Sequence, residues 1–163
     1  MPAKNRGAQV GEFRLAEFLP YRLAVVTEAV SRVFAENFEE AFKLTRPEWH
    51  VLAVVVENGT LSPTLVGQHA SMDKVKVSRA VQSLVVKGLL RRTQDPSDGR
   101  GLLLSVTRKG RTTHDGLVPL TIRTEAMVFK DLNRADRAAL GRILAKIATQ
   151  LETMGRTDLD DVG

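Results

Sequence analysis

Asp73-Lys74-Val75-Lys76-Val77-Ser78-Arg79-Ala80-Val81-Gln82-Ser83-Leu84-Val85-Val86-Lys87-Gly88 decides the reading of this chain. Asp73 is of the type that starts a helix, because its carboxylate accepts from the free N–H groups of the first turn. Gly88 is of the type that ends one, since it takes left-handed backbone without a steric penalty. Between them Val77, Ala80, Val81, Leu84 and Val85 recur at helical spacing and form a stripe to be buried. Lys74, Ser78, Arg79, Gln82 and Ser83 fall largely on the other side, with Lys76 near the exposed start. The stretch predicts a helix with an apolar back and a polar, cationic front.

Its neighbours give that front a use. Leu89 to Gln94 reads as a short strand, the cluster Asp95-Pro96-Ser97-Asp98-Gly99-Arg100-Gly101 as a turn, and Leu102 to Val106 as a returning strand. The pair forms a β-hairpin with a long basic tip. On the other side Ser62-Pro63 is a cap followed by a first-turn proline, and it starts a short helix to about His69. Short helix, tight connection, polar-faced helix, then hairpin is the order of a winged helix-turn-helix. A helix about as wide as the major groove presents side chains to base edges there. A basic hairpin tip reaches an adjacent minor groove, whose negative potential attracts an arginine such as Arg100.

The flanks predict helices that need partners. Pro20 opens a helical stretch to about Lys43, marked by Leu23, Val26, Val30, Val33 and Phe34 and widened by Val25, Ala29, Phe38 and Phe42. So broad an apolar face does not suit the surface of a small monomer. Thr45-Arg46-Pro47-Glu48 has the capping-box pattern, and a helix carrying Trp49 and His50 follows to about Glu57, ended by Asn58-Gly59. Thr107 caps a further helix. From Asn133, Leu140, Leu144, Ile147, Leu151 and Met154 recur at the spacing of a helix–helix seam. Thr157 to Gly163 is acidic and unpatterned, and is expected to fray. The expected fold is mainly α with a small β-hairpin wing: a dimerisation helix over 12–44, a winged helix-turn-helix over 45–110, dimerisation helices over 111–155, and flexible tails at 1–11 and 156–163.

Charge is distributed in keeping with this. Residues 62–110 hold nine lysines and arginines against Asp73, Asp95 and Asp98, a net of +6, while the remaining chain holds 15 bases and 16 acids. The whole excess of a +5 protein therefore sits in the predicted winged segment, as expected of a phosphate-binding footprint. With 43% hydrophobic and 26% charged residues the composition is that of a globular protein. No apolar run approaches the roughly 20 residues of a membrane span, and Met1 to Gly11 has no apolar leader core, so a cytoplasmic protein is expected. The absence of cysteine excludes disulfides, thiolate metal sites and thiol redox sensing. His50, His69 and His114 lack metal-ligand spacing, so neither metal nor cofactor is expected. There is no glycine-rich phosphate loop and no carboxylate pair beside a histidine, and Ser78 and Ser105 have no base at plausible spacing. No enzyme is expected.

Over residues 20–155 the chain resembles the MarR family of bacterial regulators. The resemblance rests on Ser71-Met72-Asp73-Lys74-Val75-Lys76-Val77-Ser78-Arg79, on Leu84-Val85-Val86-Lys87-Gly88-Leu89-Leu90-Arg91-Arg92, and on Asp98-Gly99-Arg100 followed by Leu104-Ser105-Val106-Thr107-Arg108-Lys109-Gly110. It implies a two-fold homodimer, knitted by terminal helices, that binds palindromic double-stranded promoter DNA and represses. It also implies release by a small ligand, often a phenolic or aromatic acid. The family often carries two arginines after the wing aspartate; here Gly99 takes the first place, leaving Arg100 as the minor-groove probe with Asp98 as its orienting partner.

The DNA-binding candidates are thus Ser62, Thr64, Lys74, Lys76, Ser78, Arg79, Gln82, Asp98 and Arg100. Arg79 reads a base, clamps a phosphate, or is a solvated helix charge; the polar face it shares favours contact. Lys74, Lys76 and Ser78 suit backbone contacts better than base readout. Ser62 is equally well explained as a cap, and Asp98 as a turn residue. Arg22, Trp49 and His50 are ligand candidates, because Leu19-Pro20-Tyr21-Arg22 with Pro47-Glu48-Trp49 looks like regulators that respond to aromatic acids. The plain alternatives are a core tryptophan and an arginine paired across a dimer interface. The rival function is a protein–protein adaptor on the same fold, which would show an apolar groove in place of the basic face.

Overall fold

The structure, a computed structural model, describes residues 13–96 and 98–160, and at 98–100 and 155–160 the backbone alone. A 3-10 turn at Leu15–Glu17 precedes α1 (Leu19–Phe42), α2 (Arg46–Asn58), α3 (Pro63–Ala70), α4 (Lys74–Val86), β1 (Leu90–Asp95), β2 (Asp98–Val106), α5 (Arg108–Val128) and α6 (Arg134–Asp160). These residues fall into two compact units, parted between Thr124 and Glu125.

Local chemistry fixes the helix starts. Thr45 and Glu48 cap α2 reciprocally, the Thr45 N–H donating to Glu48 Oε2 at 2.8 Å. Ser62 Oγ accepts from the Leu65 N–H at 3.3 Å, Asp73 Oδ1 from that of Lys76 at 2.9 Å, and Thr107 Oγ1 from that of Gly110 at 3.0 Å. Pro20, Pro47 and Pro63 stand in first turns, where a missing N–H leaves no gap. Gly88 ends the α4 segment at φ 72°, as its position requires.

The core of the first unit is built around α2. Val51, Leu52 and Val55 pack with Val66 of α3 and with Val77, Val81 and Leu84 of α4. Leu89, Leu90 and Leu104 close it from the hairpin, and Phe38, Leu44 and Leu117 from α1, the α1–α2 link and α5. Each such side chain contributes about 1.5–3 kcal/mol by leaving water. Asn37 of α1 donates to the hydroxyl of the fully buried Thr124 at 3.4 Å, which satisfies the one polar group α5 buries here.

The hairpin pairs Leu90 with Val106 through to Gln94 with Leu102, and then Asp95 with Asp98. Gly99, Arg100 and Gly101 are therefore looped out of register within β2. The expected turn over 95–101 is shorter than the composition suggested, because glycines on both sides of Arg100 let the strand carry a bulge instead of ending. Leu61 bridges to Leu104, with N–H to carbonyl distances of 3.1 and 2.8 Å, and so pins the α2–α3 connection to the hairpin root.

In the second unit α6 continues to Asp160, past Thr157 where the apolar pattern stops, because a nucleated helix extends at little cost. No described residue of α6 is buried, and Leu144, Leu151 and Met154 of the seam are exposed. In the first unit Leu19, Leu23, Val25 and Val26 of α1 are likewise exposed. Among the described residues no helix is long and apolar enough to cross a membrane.

Candidate nucleic-acid interface

The α3–α4 connection is a tight three-residue turn. Ser71 takes left-handed backbone at φ 50°, and the Met72 N–H donates to the Gly67 carbonyl at 2.9 Å. A Cβ on Gly67 would lie 3.1 Å from the Met72 carbonyl oxygen, so glycine lets the turn close on the helix it leaves. α4 then starts at Asp73, whose carboxyl is held below its usual range chiefly by the Lys76 N–H, and also by the Lys76 ammonium 3.2 Å away. An ionised cap at this end favours the helix start electrostatically.

α4 turns Val77, Ala80, Val81 and Leu84 into the core and leaves Lys74, Val75, Lys76, Ser78, Arg79, Gln82 and Val86 exposed. Lys74 and Ser78 share an open hollow of about 630 Å³ with Pro63, Thr64, Gln68, Arg92 and Leu102, so α3, α4 and the hairpin frame one concavity. Lys76 and Arg79 line a second hollow, of about 310 Å³, with Thr45 and Pro47 of the α2 start. Thr64, Lys74, Ser78, Lys76, Arg79 and Gln82 are thereby gathered along α3 and α4 in one unit. Ser62 spends its hydroxyl on the α3 cap. Asp98 and Arg100 lie at the far end of β2, and their side chains fall outside the described residues.

Two basic residues join this frame beyond the DNA-binding candidates named above, one of them from the pair Arg91 and Arg92, of which strand alternation lets only one share the outer face. Arg92 faces the larger hollow, whereas its neighbour Arg91 donates from Nε to Ser105 Oγ at 2.8 Å across the hairpin. The two-residue alternation of a strand carries that distinction once the register is known. Arg46, in the first turn of α2, lines a third hollow of about 540 Å³ with Pro47, His50, Ala70, Ser71, Met72 and Lys76. No pattern in the sequence brings the α2 start beside the α3–α4 turn.

The C-terminal end of α4 is tied down as firmly as its start. Lys87 Nζ donates to both carboxylate oxygens of Glu48 and to the Lys43 carbonyl, each at 2.8 Å. Glu48 is only 4% exposed. Burial alone would push its carboxyl up; hydrogen bonds from Lys87, Ser83 and the Thr45 N–H, with the Lys87 charge, outweigh that and hold it below its usual value. Lys109 Nζ donates to the Lys87 carbonyl at 2.8 Å, and Thr107 Oγ1 to that of Gly88 at 2.7 Å. The recognition-type helix is thus anchored to α2, to the α1–α2 link and to the start of α5.

Of the ligand candidates, Trp49 packs on Phe38 with ring centroids 5.1 Å apart, and His50 stands edge-on to Trp49 at 5.9 Å. Burial lowers the basicity of His50, and the nearby Arg46 charge lowers it further. Arg22 is exposed on α1, sixteen residues before Phe38, or about 24 Å along the helix axis. One chain does not bring Arg22 beside Trp49 and His50. Among the described residues no group of His, Asp and Glu could hold a metal ion.

A polar, cationic helix set between a preceding short helix and a β-hairpin defines a winged helix-turn-helix protein. Residues 42–101 match the model of the MarR family. The HTH-type transcriptional repressor IacR of Pseudomonas putida is 29% identical over 146 residues, covering 88% of this chain and 85% of that protein. Among solved structures, Bordetella bronchiseptica BpsR, whose DNA binding is regulated by 6-hydroxynicotinic acid, superposes with a TM-score of 0.80 at 25% identity, covering 85% of this chain and 98% of that one. A MarR mutant from E. coli complexed with operator DNA has the same fold, with a TM-score of 0.73 at 22% identity over 79% of this chain and 92% of that one. The winged segment thus matches the MarR family model, and the chain as a whole is similar to transcriptional regulators over most of its length.

Proposed function

We infer that the protein is a sequence-specific DNA-binding regulator that acts as a homodimer on palindromic promoter DNA in the cytoplasm, represses, and is released by a small aromatic acid. The observation that carries DNA binding is the exposed face of α4, framed by α3 and the hairpin, in the one segment that holds the chain's excess positive charge. In this reading Arg79 and Gln82 contact base edges and Lys74, Lys76, Ser78 and Thr64 contact phosphates, which the exposure of the α4 residues supports, and Arg100 with Asp98 is assigned to the minor groove from the sequence. Ser62 holds α3 in place beside the backbone.

The dimer reading is supported by the exposed apolar residues of α1 and α6, which a second copy would remove from water. The repressor and ligand assignments are supported by IacR and BpsR. Trp49 and His50 supply an aromatic wall for such a ligand and Arg22 a carboxylate partner; within one chain, Arg46 is the cation beside His50. Fluorescence anisotropy on the duplex upstream of the gene, with unrelated duplex as competitor, tests the reading. It predicts preferential binding that weakens steeply with salt and is reversed by a member of a panel of aromatic carboxylic acids. Equal affinity for the competitor would refute sequence-specific regulation through this duplex, and binding that no acid disturbs would refute the ligand assignment.

A further inference from the structure

The face of α4 that the DNA-binding reading turns to the groove begins with an apolar residue. Val75 is 60% exposed in the first turn of the helix, and no described side chain covers it. Arg79 and Gln82 follow it at i+4 and i+7, so the three stand in line on one face. Lys74 and Lys76 flank it, each turned about 100° away around the axis. In a major groove this spacing sends the two lysines toward the phosphate walls and the isopropyl group toward the floor.

Val75 gives the fold little that alanine would not, since valine is the poorer helix former at an exposed helical position. The groove floor is where its chemistry matters. A side chain with no donor or acceptor cannot satisfy the polar base edges; the one apolar group that B-DNA offers there is the C5-methyl of thymine. The amino-terminal residues of a recognition helix are also those that reach base edges. We propose that Val75 is a specificity-determining residue that packs on a thymine methyl in each operator half-site. This rests on the DNA-binding reading and names a base that the polar residues alone would not select.

The test uses a duplex that the full-length protein itself selects from a randomised pool. Each thymine is replaced in turn by deoxyuridine, which deletes the methyl and keeps every hydrogen-bonding group. One thymine per half-site should prove sensitive, its replacement weakening binding about fourfold, the effect of one methyl group's burial. Val75→Ala should weaken binding to the thymine duplex by a similar factor and then bind both duplexes alike. Val86→Ala removes a valine that is 82% exposed on the same side but about 16 Å further along the axis, and should keep the wild-type preference. No sensitive thymine, a preference that survives in Val75→Ala, or one that is lost equally in Val86→Ala would each overturn the assignment. Failure to select any duplex would overturn the DNA-binding reading with it, so the two failures are told apart.

Discussion

Replacing Glu48 by Gln tests whether the tie between α2 and the end of α4 stabilises the reading unit. Gln nearly preserves the shape of the side chain but removes its charge, and it can turn an NH2 donor toward the Lys87 ammonium that now donates to both oxygens at 2.8 Å. Removing one partner of a fully buried ion pair costs about 3–5 kcal/mol. Lys87 is 34% exposed and can recover water, so the loss falls nearer to that of hydrogen bonds to a charged group, about 2 kcal/mol. For a chain of this size that lowers Tm by about 4–8 °C, read by calorimetry at pH 7 and fixed protein concentration. The sign of the pH dependence is a second check. The Glu48 carboxyl is held below its ordinary 4.5, so its contribution is complete above that pH and is lost as pH falls through the folded value. Wild type and Glu48→Gln should therefore converge below pH 4.5. A Tm change under about 1 °C at pH 7, or a gap that widens with acid, would refute the reasoning.

Three further outcomes are expected. Arg79→Ala should weaken binding to the selected duplex by more than about 1 kcal/mol at fixed salt, as for a lost base contact, and unchanged anisotropy titrations would remove Arg79 from the interface. Lys74→Ala should weaken binding evenly across sequences and flatten the log–log salt dependence by about one unit, so an unaltered slope would return Lys74 to the solvated surface. In Gly110→Ala the new Cβ collides with the Leu89 carbonyl oxygen and crowds a Val106 methyl 2.9 Å away. The substitution should lower Tm by more than about 6 °C, the result of an overpacking cost near 3 kcal/mol, and a melting curve like that of wild type would contradict the close approach of α5 to the hairpin root.

Much of the fold could be read from the sequence because its signals are local. The caps at Thr45, Ser62, Asp73 and Thr107 and the stop at Gly88 each depend on atoms within a few residues, and the structure has each of them in that role. The buried stripe of α4 followed from helical periodicity alone. What was not legible depends on residues distant in sequence. Glu48 and Lys87 are 39 residues apart, and the capping box already explained Glu48, so nothing announced its second role. Arg92 could be separated from Arg91 only through the hairpin register, and Arg46 only through the packing of α2 beside the α3–α4 turn. The bulge in β2 was hidden for the opposite reason, since its composition fits a turn equally well.

The Lys109 and Thr107 contacts to the Lys87 and Gly88 carbonyls have a mechanical consequence. The first turn of α5, the end of α4 and both roots of the hairpin meet at one joint, and the Gly110 backbone is pressed against Leu89 within it. A displacement applied through the start of α5 cannot swing the reading helix while leaving the hairpin behind; it carries both as one stiff head on a lever. In the dimer proposed above, control would then act on the distance and tilt between two whole heads, and an operator would be accepted or rejected by the spacing of its half-sites.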